Sequence, residues 1–95
     1  MAKGYWIVGL DISDPEQYAE YVKLVRPFLV RCDAKFLVRG GECELVEGVG
    51  SSRNVVIEFP SYPDAIAAYQ SEEYQAMIGL RTAAASGNFA IVEGF

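Results

Sequence analysis

The sequence contains no histidine. The commonest general base and the commonest metal ligand are therefore missing together. A haem held through an axial imidazole is disfavoured with them. Cysteine is scarce too: Cys32 and Cys43 are the only two, and two thiols do not make a disulfide framework. Without a CxxC pair or histidine, no metal site is expected. Basic residues number 8 against 13 acidic ones, for a formal charge of −5. A phosphate backbone is then an unfavourable partner, and no nucleic-acid role is expected. The uncharged stretch Ala83–Val92 contains Ser, Gly and Asn and is too short to cross a bilayer. The opening Met1-Ala2-Lys3-Gly4 lacks the pattern of a secretory leader, so a cytoplasmic location away from membranes is the expectation. Linkers, repeats and low-complexity tracts are absent from the sequence as well.

What is present is a globular composition of 95 residues, 52% of them hydrophobic, which predicts one domain over residues 1–95. Tyr5–Leu10 is rich in β-branched and aromatic residues and reads as a strand. Asp14 then offers an N-cap, Pro15 suits the first helical position, and Gln17 stands where a capping box needs it. Tyr18, Tyr21, Val22, Val25, Phe28, Leu29 and Cys32 recur at helical spacing and mark one apolar face. Pro27 lies inside this pattern and predicts a bend or a restart. Ala34–Arg39 is a second strand closed by Gly40-Gly41, and Glu42–Glu47 alternates like a half-exposed ribbon. Asn54–Phe59 is the strongest strand pattern and ends at Pro60. Ser61 caps a second helix, and Ser71-Glu72-Glu73 starts a third that carries Tyr74, Met77, Ile78 and Arg81. Gly87-Asn88 reads as a turn before a last strand, Phe89–Glu93.

Strand, helix, strand, strand, helices, strand is the order of an α+β, ferredoxin-like βαββαβ fold. Right-handed crossovers put the helices on one face of one antiparallel sheet. The other face should then turn polar, yet Trp6-Ile7-Val8, Phe36-Leu37-Val38, Val55-Val56-Ile57 and Phe89–Val92 are apolar at both parities. Two sheets packed face to face in a twofold-symmetric homodimer bury such a surface. The alternative is a monomer whose residues 42–53 fold over it.

Several segments then carry a family likeness: Gly4-Tyr5-Trp6, Asp14-Pro15-Glu16-Gln17-Tyr18, Phe36-Leu37-Val38-Arg39-Gly40-Gly41, Val55–Tyr62, Ser71–Gln75 and Val92-Glu93-Gly94. In order and spacing the chain resembles the domain of unknown function 1330 family, within the dimeric α/β-barrel group. The resemblance implies the same sheet-to-sheet dimer. It implies little about chemistry, because the wider group holds cofactor-free monooxygenases, muconolactone isomerases and haem enzymes alike.

Two charged residues stand out in apolar strands. Arg39 closes the second strand, where an arginine calls for an anion. Glu58 sits within Val55–Phe59, where a carboxylate calls for a partner. If both occupy one sheet face, they form an ion pair. That pair either fixes register or an interface, or it forms a site in which Arg39 holds a carboxylate or enolate and Glu58 acts as base; the remaining alternative is that both side chains simply reach solvent. Trp6 belongs to the core, the interface or a pocket wall. Among six tyrosines, Tyr18 and Tyr21 fall on the first helix's buried face, while Tyr69 and Tyr74 border a helix break and are candidates for a cavity. Glu93 points either toward Glu58 or toward Arg81. Gly48–Ser52 is not a phosphate loop, since a strand and not a helix follows it. Glu42, Glu44 and Glu47 read as a solvated face, and Cys32 as a small core residue.

The expected substrate-binding set is therefore Trp6, Arg39, Glu58, Tyr69 and Tyr74, with no cofactor. Two functions compete. One is a small-molecule-binding protein or cofactor-free enzyme. The other is a non-enzymatic dimer module of a stress or regulatory kind. A concave pocket with converging polar groups distinguishes them.

Overall fold

The computed structural model describes residues 2–95. Its elements are β1 (Gly4–Ile12), α1 (Pro15–Arg31), β2 (Lys35–Arg39), β3 (Arg53–Phe59), α2 (Tyr62–Gln70), α3 (Glu72–Ala84) and β4 (Ala85–Glu93). The four strands form one antiparallel sheet in the order β2-β3-β1-β4. This is the α+β, ferredoxin-like arrangement that the order of elements predicts. Among the described residues, no helix is long and apolar enough to cross a membrane.

Each helix starts where its cap dictates. The Asp14 carboxylate accepts from the Gln17 amide at 3.2 Å, Ser61 Oγ from the Asp64 amide at 3.2 Å, and Ser71 Oγ from the Tyr74 amide at 3.2 Å. The capping box is only half formed, because the Gln17 side chain donates to the Leu80 carbonyl instead, at 3.3 Å. That bond ties α1 to α3. Pro27 does not restart α1, which runs unbroken from Pro15 to Arg31. Its missing N–H would have met the Lys23 carbonyl, and both residues are exposed, so water can satisfy that oxygen.

Strand parity divides the sheet cleanly. Trp6, Val8, Leu10, Val55, Ile57 and Phe59 face the helices and are buried with Tyr18, Tyr21, Val25, Phe28, Leu29 and Tyr74. Trp6 is the hub of this core. Its indole N–H donates to the Ala65 carbonyl at 2.9 Å, and its ring lies within 5.0 Å of Phe59, Tyr74 and Phe89. Tyr5, Ile7, Val56, Glu58 and Val92 face the other way, onto the side without helices.

Two sequence expectations need correction. Glu42–Glu47 is not a strand, because residues 41–52 are a loop with no neighbouring strand to pair with. Gly87-Asn88 is not a turn, because β4 already begins at Ala85. Gly87 pairs with Leu10 at φ +147°, and a Cβ there would lie 1.9 Å from the Gly9 carbonyl oxygen. The glycine permits a close approach of backbones within a strand and does not end one.

Candidate functional site

Between α1 and the helix-facing side of the sheet lies a cavity of about 100 Å³. Its floor is Trp6, Val8, Leu10, Val55 and Ile57, and its roof is Tyr18, Tyr21, Val22, Val25 and Leu29. Into this apolar shell project Arg26, Arg39, Arg53 and Arg81. No aspartate or glutamate lines it. The chain has five arginines. The fifth, Arg31, pairs with Glu73 on the outside of α1 and α3, and among the described residues none of the other four makes a salt bridge.

Each guanidinium is placed by a local device. Arg39 owes its direction to a β-bulge. Lys35 pairs with Glu58 and Phe36 with Ile57, but the register then slips so that Val38 pairs with Val56 and Arg39 with Val55. The extra residue turns Arg39 toward the helices, where its guanidinium lies 5.1 Å from the Phe36 ring centre. Arg53 has the parity of Val55 and Ile57 and stacks 5.5 Å from the centre of the Tyr18 ring. Gly40 makes room for it. At φ +67° its missing Cβ would fall 2.2 Å from an Arg53 guanidinium nitrogen. Arg81 comes from α3 in the same stripe as Tyr74 and Met77. It is 7% exposed and lies 4.9 Å over the Phe89 ring. The Nε atoms of Arg53 and Arg81 are buried without a hydrogen-bond partner. A buried N–H without a partner costs about 1–3 kcal/mol, so at Arg81, the buried residue of the two, this works against stability.

Behind the wall of the cavity, the hydroxyl of Tyr21, which lines it, stands 2.7 Å from that of Tyr74, which does not, one donating to the other. Burial, first of all, pushes both phenols above the usual tyrosine range, while the nearby Arg81 pulls the other way. Both remain protonated donors at neutral pH and are too weakly acidic to act there as phenolate bases.

The sequence candidates separate on this geometry. Arg39 is at the mouth of the cavity, and Trp6 forms part of its floor while remaining 1% exposed. Glu58 is elsewhere. The bulge puts it on the opposite sheet face from Arg39, so the expected Arg39–Glu58 ion pair does not exist. Glu58 accepts instead from the Tyr5 hydroxyl at 3.0 Å, and this bond, chiefly, raises the Tyr5 pKa. Tyr69 packs on Phe89 and Tyr74 behind the cavity, and Tyr74 reaches it only through Tyr21. Glu93 pairs in register with Gly4 at the exposed end of β4 and meets neither Glu58 nor Arg81 in a salt bridge. Cys32 is half-buried, and burial pushes its thiol up. Arg26, Arg53, Arg81, Tyr18 and Tyr21 complete the wall. Arg53 and Arg81 had a legible signal, since each is a cation at the apolar parity of its element.

A family model described as Domain of unknown function (DUF1330) matches residues 3–95. The chain belongs to the DUF1330 family. Among solved structures, the DUF1330 chain is similar to a protein of unknown function from Rhodopseudomonas palustris. The identity is 15% and the TM-score 0.80, covering 99% of this chain and 83% of that one. It also resembles an antibiotic biosynthesis monooxygenase at 12% identity and TM-score 0.58, covering 100% and 97%. An ethyl tert-butyl ether D (EthD) family protein from Bacillus halodurans C-125 matches at 15% identity and TM-score 0.54, with full coverage of both chains. No curated protein matches this sequence. At these identities the DUF1330 chain shares a fold with its structural neighbours, and the arginine-lined cavity must be read from its own residues.

Proposed function

We propose that the protein binds a small organic carboxylate, or an enolate of similar shape, between α1 and the sheet, and that it works as a homodimer joined through its open sheet face. The observation that carries the first part is the wall itself: four guanidiniums and no carboxylate, in a chain of net charge −5. An acidic protein that gathers most of its arginines around one apolar cavity creates a local positive field against its own overall sign. Guanidiniums match carboxylates in planar geometry, and an apolar surround strengthens each contact. Turnover without a cofactor is an extension of the same reading, since buried cations stabilise an anion as it develops. Glu58 has no part in that chemistry within one protomer.

The second part rests on the open face. Ile7, Leu37, Val38 and Val92 are each at least 42% exposed there. The loop after β2 covers only one end of it. Ser52 donates twice to Asp11, Asn54 donates to the Ser51 carbonyl, and Ser51 packs beside Gly9. The centre is left apolar and bare, as a sheet-to-sheet dimer requires. A module whose only product is its dimer is the competing function, and it predicts no ligand.

Thermal-shift screening against small carboxylic acids, each beside its own amide, tests the binding claim. A ligand at 100 times its Kd adds about 2.7 kcal/mol. That is roughly 10 °C or more in a domain of this size. The expected result is at least one acid that raises Tm by such an amount while its amide does not. Equal, negligible shifts for acids and amides throughout the panel would leave the dimer module as the better reading.

A further inference from the structure

We propose that the ligand carries two acidic groups, one at each end of a short apolar body. The inference rests on the carboxylate-binding reading above and adds the ligand's class to it. It comes from how the arginines are spaced along one row of the sheet. Arg39 pairs with Val55, Val55 with Val8, and Val8 with Phe89. These four residues therefore form a single line across β2, β3, β1 and β4, all on the helix-facing side. A guanidinium stands at each end of the line. Arg39 is one, and Arg81, seated over Phe89, is the other. Three strand spacings of about 4.8 Å separate the two end positions, roughly 14 Å between Cα atoms. Between them the floor is Val55 and Val8, which offer no polar group.

The two ends differ in character. The Arg81 end is closed, with a buried and unpartnered Nε and the Tyr21–Tyr74 phenol pair beside it. The Arg39 end is open, with Arg39 and Arg26 exposed and Arg53 half-buried nearby. A monoanion satisfies the closed Arg81 end and leaves the arginines of the mouth to water. A dianion satisfies both, while its apolar middle lies on the two valines. The acidic group that enters first comes to rest against Arg81, and the second is held at the mouth.

Isothermal titration of the intact chain with α,ω-diacids from succinate to suberate, each against the monoacid of equal length, tests this. A charge-assisted contact is worth enough that the best diacid should bind roughly 30-fold more tightly than its monoacid. The preference should peak at one chain length, which measures the gap. Arg39 is exposed, so the R39Q variant keeps the fold. In R39Q the ratio of diacid to monoacid affinity should fall below about 3-fold, whatever happens to the monoacid itself. Equal affinity for diacids and monoacids at every length in the wild type would overturn the two-ended site and leave the single-carboxylate reading standing. Failure of both classes to bind would overturn both.

Discussion

Replacing Arg81 by methionine is expected to abolish carboxylate binding and leave the protein as stable as before, or more so. The side chain is 7% exposed and its Nε has no partner. Arg81 makes no salt bridge and has only the Tyr74 hydroxyl as a polar neighbour, so replacing it by an apolar group of similar length relieves a desolvation penalty. Against this stands the contact with Phe89, worth about 1–2 kcal/mol when desolvated. Methionine is flexible enough to fill the same volume over that ring. The balance predicts an unchanged Tm or a rise of about 4–8 °C per kcal/mol gained. Loss of a buried charged contact to a ligand costs about 2–5 kcal/mol, or roughly 30-fold to several-thousand-fold in Kd. Calorimetric melting and titration of the same preparation read both quantities. A variant that melts far lower and still binds would make Arg81 a structural residue.

The proposed dimer carries the second large effect. Ile7 lies at the centre of the open face, paired with Val56 on one side and Ala90 on the other, and is 44% exposed. Ile7→Glu leaves the protomer's own core untouched, because that core is built from the opposite parity. In a twofold interface the change places two carboxylates in an apolar contact. Each costs several kcal/mol if it stays charged there. Sedimentation should therefore show a dimer for the wild type and a protomer for Ile7→Glu at micromolar concentration, with circular dichroism preserved. A wild type that sediments as a protomer, or a variant that still pairs, would contradict the proposed assembly.

Much of the fold was legible because its signals are local. Asp14, Ser61 and Ser71 start their helices, and alternation within β1 and β3 assigns the core face residue by residue. The failures were also local, and each has a physical cause. The ribbon at Glu42–Glu47 has the right alternation but no strand to pair with. The turn at Gly87 is a strand glycine that admits the Gly9 carbonyl. The Arg39–Glu58 pair assumed unbroken parity along β2, and one inserted residue between Phe36 and Val38 reverses it. A bulge leaves almost no trace in a five-residue strand, so unbroken alternation along β2 gives Arg39 the wrong companion. Arg53 is absent from the expected site, and Arg81 enters only as a residue of the third helix and a neighbour for Glu93, for the opposite reason. Their parity was plain, but arginine in an apolar stripe is easily taken for a side chain that snorkels to water. At Arg81 the side chain is instead 7% exposed, with its Nε buried.

The central claim is that an anion enters among these guanidiniums, and the arginine Nε–H resonances report on it directly. Titrating a carboxylate hit from the thermal screen into ¹⁵N-labelled protein should shift the Arg53 and Arg81 Nε–H signals saturably. Arg31, held by Glu73 outside the cavity, should stay still. Movement confined to Arg31 and other surface groups, with Arg53 and Arg81 unmoved at saturation, would show that the cavity does not take the anion.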